Sequence, residues 1–430
     1  MSTARIGVSQ GTALYVGAIL GAGLLALPSL AAQEAGPASV LAWALLLLFC
    51  VPVAASFAAM SAHYPDGGGV ATFVSKAYGR RASAMVGYWF YFALPAGAPV
   101  TAFVGGTYVA DALGGDTGEA LAFAAVLLTA AFTTNWLGLR ISGRVQLILV
   151  GLLGLLLLAA CLLALPDADA DNMTPFAPHG LLAVGPAASL LFFSFAGWEA
   201  VTHLAGEFRN PKRDLRLVTI FTLIVIGVLY VGLALTSALV LGPELAESDV
   251  PLSLLLEAGI GGAANAFTAT LAAMLTFGTM NAYLAGASRL GAALARDGAL
   301  PEWMAKGNRP GEVPRRSLGV LAALSVLVSA VALLVGADLG AVMLAASACF
   351  IAVTVAGLVA GVRLLPTRRP VWYGALLAAA VMTVVLLFCG VFLVIPVALA
   401  ASAWWYTRRE VPPTRTSQRP TPVDADAVSG

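Results

Sequence analysis

Phe193-Ser194-Phe195-Ala196-Gly197-Trp198-Glu199-Ala200-Val201-Thr202-His203 is the stretch whose reading decides how this chain folds. It lies in an apolar segment that begins near Gly180 and has the length of a membrane span. A serine, a glycine, a carboxylate and an imidazole interrupt it where lipid tails would be the solvent. An acidic residue at the centre of a membrane helix costs ~2.5–3.5 kcal/mol on insertion scales, so something must compensate for Glu199. Backbone outside a helix is tolerated at membrane depth only where protein covers it or where it lines a cavity. The expectation is a helix broken here, whose break forms half of a solute-binding site.

The surroundings agree with a membrane setting. The chain is 60% hydrophobic and 10% charged, with a mean hydropathy of +0.91, which excludes an ordinary soluble domain. Runs long enough to cross a bilayer recur about twelve times, near 11–33, 38–62, 82–111, 119–138, 142–165, 181–205, 216–242, 263–290, 317–336, 339–363, 371–388 and 389–407. They are Leu- and Ala-rich without the period of two that a membrane barrel needs, so the fold class is all-α and polytopic. The last two must share a tight hairpin around Cys389-Gly390. The first follows a polar start with one arginine and has no small-residue cleavage site, so it is read as a retained helix ahead of a signal peptide.

Charge gives the spans a direction. Every Lys and Arg falls at the amino terminus, in or at the edge of an even-numbered gap between spans, or after the last span; Lys76, Arg80, Arg81, Arg140, Arg144, Lys212, Arg213, Lys306, Arg315 and Arg316 are examples. The odd-numbered gaps hold only acids, among them Asp111, Asp116, Asp167 and Glu244. The positive-inside rule then predicts cytoplasmic termini. The four cysteines form no CxxC pair and sit in or beside apolar spans, which favours buried thiols over a disulfide or metal reading.

The first span carries a counterpart of the opening stretch, Ile19-Leu20-Gly21-Ala22-Gly23 with Pro28 beyond it. A break there would leave N–H donors and a positive dipole end at the start of the outer half-helix, suited to a carboxylate. Close packing of small residues explains the same glycines, and the residues alone leave both readings open. Gly-x-Gly-x-x-Ala here has no strand before it and no acidic residue downstream in a soluble unit, so a dinucleotide site is rejected. Span three combines Pro95, Gly97 and Pro99 with Tyr88, Trp89, Tyr91 and Phe92, as a long helix passing beside a central site or as an interfacial aromatic belt. Glu199 and His203 lie one turn apart, as a structural pair or as a proton relay. Asn281 and Tyr283 in span eight face either a cavity or a neighbouring helix.

Four stretches together resemble the amino acid–polyamine–organocation (APC) superfamily of transporters. They are Gly21-Ala22-Gly23 with Pro28; Tyr64-Pro65 through Gly69 to Gly79; Phe193 to Glu199 with Gly206-Glu207-Phe208-Arg209-Asn210-Pro211; and Ser288-Arg289 with Arg296-Asp297-Gly298-Ala299-Leu300-Pro301. Within the superfamily the chain is most similar to the bacterial exporters of L-methionine and branched-chain amino acids, through His63-Tyr64-Pro65, Gly68-Gly69-Val70-Ala71, Pro95/Gly97/Pro99 and His203-Leu204-Ala205, a likeness expected over most of the chain. The resemblance implies a LeuT-like fold of two inverted five-helix repeats, at about 11–165 and 181–363, plus two C-terminal helices at 371–407. Residues 1–10 and 408–430 would be cytoplasmic tails, the latter disordered. It also implies a substrate carboxylate at Gly21, Ala22 and Gly23, and an ammonium at the carbonyls of Ile19 and Phe193–Ala196. Ser194, Phe195, Gly197 and Asn281 complete the expected substrate-binding set, with Glu199 and His203 as the coupling pair.

The expected function is therefore secondary transport of neutral apolar L-amino acids across a bacterial cytoplasmic membrane, as efflux, with an importer or exchanger on the same fold as the rival. A membrane amino-acid sensor is the alternative from another class, and a channel fits two broken helices poorly. No HExxH or nucleophile constellation points to an enzyme. The expected partners are the amino acid substrate and the lipid bilayer, with no nucleic acid and no cofactor. A proton is the expected coupling ion ahead of sodium, since Thr276 and Thr279 cannot be placed at a cation site from the sequence.

Overall fold

The computed structural model describes residues 7–21, 23–64, 69–138, 143–198, 208, 210–260, 264–307 and 312–408. Each of the expected spans falls on a helix or a helix pair over its described residues; 199–205 of span six lie outside them. The first is split into α1 (Val8–Ile19) and α2 (Gly23–Ala35), and α3 (Ser39–His63) returns across the molecule. The amphipathic α4 (Gly69–Tyr78) leads to the 33-residue α5 (Arg80–Ala112), then α6 (Thr117–Trp136) and α7 (Gly143–Ala164). The second half begins with α8 (Val184–Phe195) and continues with α9 (Pro211–Leu241), the short α10 (Pro251–Ile260) and α11 (Ala264–Arg296). It ends with α12 (Arg315–Val335), α13 (Leu339–Leu364), α14 (Pro370–Leu387) and α15 (Val394–Arg408). Among the described residues, eight stretches are long and apolar enough to cross a membrane, and the apolar parts of α7 and α8 are shorter.

Local chemistry explains several of these boundaries. Asp116 opens α6 with a capping box: its carboxylate accepts from the N–H groups of Gly118 (2.8 Å) and Glu119 (3.0 Å), and Glu119 accepts from the Asp116 N–H. Asp338 caps α13 by accepting from the Ala341 N–H at 2.6 Å. Both acids stand at helix N-termini, where the dipole favours negative charge, so part of the acid-only pattern has a structural cause. Gly390 adopts φ +56° in the hairpin between α14 and α15, as the shared turn there requires.

The helix α5 runs through the middle and packs on α6, α11 and α13. Pro95 and Pro99 are accommodated inside it without ending it. Two ends of the bundle differ in charge. At the basic end, the Arg315 guanidinium donates to the Trp136 carbonyl, and Arg363 stands over the Tyr78 ring. At the acidic end, Gln33 donates to the Ala246 carbonyl and Asn172 to that of Leu239.

Candidate functional site

The two interruptions meet at the centre. The helix α1 stops at Ile19, and the Gly21 N–H turns back onto the Ile19 carbonyl at 2.7 Å before the helix restarts at Gly23. Of the donors expected there, that of Gly21 is thus engaged within the break, and Ala22 lies outside the described residues. In the second half, α8 stops at Phe195, Ala196 is extended, and Gly197 has φ +133°. A side chain has no room at Gly197: a Cβ would lie 2.8 Å from the Ala18 carbonyl oxygen. The backbones of the two breaks are therefore in direct apposition. The Tyr15 hydroxyl adds a strap by donating to the Trp198 carbonyl at 2.9 Å.

A residue that the sequence reasoning missed ties the breaks together. Tyr230, fully buried on α9, places its hydroxyl 2.9 Å from the Ile19 carbonyl and 3.0 Å from the Ser194 carbonyl. These carbonyls lie at the C-terminal ends of α1 and α8, in the set that the resemblance assigns to the substrate ammonium. One phenolic proton is shared between two acceptors that the broken helices have left without intrahelical partners. The Tyr230 ring is held edge-on by Trp43 and by Phe195, each at 5.1 Å between centroids. Phe195 thus belongs to the aromatic support of Tyr230. The available signal in the sequence was a hydroxyl-bearing ring in mid-span, which needs an acceptor when buried.

Beside the breaks lies a small cavity of about 40 Å³. Its walls are Ile19, Gly21 and Gly23 from the first break and Phe193 and Ala196 from the second. The helix α5 contributes Leu94, Gly97, Ala98 and Thr101, α11 contributes Thr279, Met280 and Tyr283, and α13 contributes Phe350. No charged side chain is among these residues. The proline-rich part of α5 therefore passes the central cavity, as one of its two sequence readings had it. A single water occupies roughly 10–15 Å³ on such a scale, so the cavity holds only a few waters. Phe193 and Phe350, 6.3 Å apart, are the large rings whose movement would enlarge it.

At the acidic end, Tyr108 joins α2 to α10. The Tyr108 hydroxyl donates to the Leu25 carbonyl of α2 at 2.9 Å and accepts from the Leu252 N–H of α10 at 3.2 Å. At the basic end, the Tyr88 hydroxyl donates to the Ala299 carbonyl at 2.6 Å.

The remaining expected site residues divide. Ser194 and Gly197 are at the second break, buried but not on the cavity wall; Ser194 Oγ, next to Gly23, has no hydrogen-bond partner among the described residues. Asn281 lies away from the central cavity. It is on the opposite face of α11 from Thr279 and Tyr283, and its Oδ1 accepts from Asn135 Nδ2 at 2.7 Å and from Thr134 Oγ1 at 3.0 Å. The physical reason is helical spacing: two residues along an α-helix turn a side chain about 200° around the axis. Glu199 and His203 lie outside the described residues.

One helix interrupted between Ile19 and Gly23, and a second that ends at Phe195 against that interruption beside a cavity, are the features of a LeuT-like polytopic membrane protein. The solved structure of MhsT in complex with L-phenylalanine superposes with a TM-score of 0.62 at 15% identity, covering 91% of this chain and 98% of that one. The Amino acid permease family model matches residues 6–412. This chain belongs to that family, within the APC superfamily, and is an amino acid transporter. It is 31% identical over 399 residues to the uncharacterized amino acid permease YecA of Bacillus subtilis, covering 93% of this chain and 94% of that protein. The L-methionine/branched-chain amino acid exporter YjeH of Escherichia coli is 32% identical over 230 residues, 53% of this chain and 54% of that protein. That likeness spans about half of the chain rather than most of it. The branched-chain amino acid permease BcaP of Bacillus subtilis is 31% identical over 323 residues, 70% of this chain and 69% of that protein.

Proposed function

We propose that this protein moves neutral, apolar L-amino acids, methionine and the branched-chain set, out of the cytoplasm by alternating access. The observation that carries the reading is the charge-free cavity at the meeting of the two breaks. Backbone N–H and carbonyl groups beside it suit the zwitterionic part of an amino acid, and the walls from Leu94, Met280, Phe193 and Phe350 suit an apolar side chain. A cationic side chain would meet no counter-ion there, and burying an unpaired charge is costly. Branched-chain amino acids are common to the printed names of two relatives, YjeH and BcaP, which supports that substrate class.

In this reading the basic end faces the cytoplasm, in line with the positive-inside rule. The Tyr108 contact closes the outer side, and release outward requires α10 to part from α2. A proton is the coupling ion, carried by Glu199 and His203.

Labelled methionine counterflow in proteoliposomes tests the transport reading. Accumulation driven by internal unlabelled methionine, leucine, isoleucine or valine, and not by lysine, is the expected outcome; no counterflow with any of them overturns it. Direction is tested by overproduction in cells, where internal methionine and branched-chain levels fall for an exporter and rise for an importer. A pH jump that drives no flux in either orientation removes the proton from the mechanism.

A further inference from the structure

A second cavity, of about 980 Å³, lies at the basic end on the other face of α11. Thr279, Met280 and Tyr283 face the central cavity, while Asn281, Ser288 and Arg289 face this one. Among the described residues, none of α1, α2 or α8 lines it. Its other walls are the end of α6, the approach to α12, and Lys306.

The chemistry of this cavity is opposite to that of the central one. Arg289, Lys306, Arg315 and Arg316 line it together with one carboxylate, Glu312. Among the described residues, no ion pair joins Lys306, Arg315 or Arg316 to a carboxylate. The two arginines of α12 are aimed by backbone contacts: Arg315 Nε donates to the Trp136 carbonyl at 3.1 Å, and Arg316 donates to the Trp303 carbonyl at 3.0 Å. Each contact uses one of five guanidinium donors, which leaves the rest of an oriented fork for an anion. The floor holds the buried Asn281, whose Oδ1 is already engaged and whose N–H groups are what it can offer a ligand oxygen.

An amino acid zwitterion carries no net charge and is poorly matched to a wall on which Lys306, Arg315 and Arg316 outnumber the single carboxylate, Glu312. A phosphate-bearing anion suits both the forks and the point charge of Lys306. The rim selects among such anions. Trp136, Leu137 and Trp303 are 45%, 60% and 52% exposed beside the cationic wall, the pattern of a membrane–water interface. We propose that this cavity binds the headgroup of an anionic phospholipid, with the phosphate on Lys306, Arg315 and Arg316 and the acyl chains over Leu137. Because α11 walls both cavities, the bound headgroup braces the helix that lines the central one.

The test is a phosphatidylglycerol titration of the detergent-purified full chain, followed by native mass spectrometry, against phosphatidylcholine at equal concentration. Wild type is expected to retain phosphatidylglycerol preferentially. Lys306→Gln/Arg316→Gln should weaken that binding about 30-fold, at roughly fivefold per surface cation near an anionic lipid. Arg368→Gln/Arg369→Gln, which removes two cations from the loop before α14, should leave it unchanged. Equal retention of phosphatidylcholine, or equal losses in both double variants, overturns the proposal. Displacement of the lipid by millimolar inorganic phosphate overturns the lipid source and leaves a soluble phosphate site. Should the first double variant not fold, Lys306→Gln alone decides by an expected loss of about fivefold, and an unchanged affinity overturns the assignment.

Discussion

A Cβ added at Gly23 would lie 2.7 Å from the Phe193 ring and 2.8 Å from Ser194 Oγ, whereas one added at Gly197 would lie 2.8 Å from the Ala18 carbonyl oxygen on a backbone with φ +133°. The first glycine makes room for side chains from the opposite break. The second permits both a backbone conformation closed to L side chains and the approach of one main chain to another. Gly21, which shares the first break, would place its Cβ 3.8 Å from the Ile19 carbonyl oxygen and from the Thr279 methyl, ordinary contacts among the described residues. Glycines that look equivalent in the sequence therefore carry different constraints. Side chains can move to relieve a clash and backbone at a helix junction cannot, so the second break is the less adaptable of the two.

Substitutions separate these constraints. Gly197→Ala should have the largest effect, because a strained backbone costing of order 1–3 kcal/mol adds to a clash with the Ala18 carbonyl. The expected outcome is loss of the monodisperse peak in size-exclusion chromatography together with loss of counterflow. A well-folded, active Gly197→Ala protein would break the contrast. Gly23→Ala should spare folding and lower counterflow more than about tenfold by overpacking against Phe193. The double variant Gly23→Ala/Phe193→Leu should regain most of that activity; absence of rescue would show that the Gly23 constraint is backbone, as at Gly197.

Tyr230→Phe probes what joins the breaks. Removing the hydroxyl leaves the Ile19 and Ser194 carbonyls without their shared donor, and counterflow should fall about tenfold while the aromatic packing with Trp43 and Phe195 is kept. A thermal melt read alongside should drop by only a few degrees, since the ring stays in place. Gly21→Ala should have the smallest effect, within about twofold of wild type in counterflow and melting temperature. A large loss there would mean that the Gly21 N–H or its local geometry, rather than the space around it, is what the first break needs.

Much of this was legible along the chain. Length and hydropathy give the helical spans, and local backbone chemistry at Ile19–Gly23 and Phe193–Gly197 marks where two of them stop. The alternation of basic and acidic gaps follows from composition as well, although Asp116 and Asp338 turn out to serve as helix caps. Pro95, Gly97 and Pro99 identified the helix that passes the cavity, but only packing decides that Leu94, Gly97, Ala98 and Thr101 form its wall. Asn281 is the opposite case. Its polarity in span eight fits a cavity or a neighbouring helix equally, and only packing puts its side chain against Asn135 and Thr134.

By itself, the sequence determined a polytopic helical membrane protein with two interrupted spans, because the solvent preference of each segment and the conformational freedom of its backbone are local properties. The tertiary structure alone decided that Tyr230 closes the gap between residues 211 and 36 positions away, that Tyr108 joins α10 to α2, and that α11 divides an uncharged cavity from a cationic one. Such contacts depend on which face of each helix meets which neighbour. That choice is set by the packing of the whole bundle and has no counterpart in the spacing of residues along one segment.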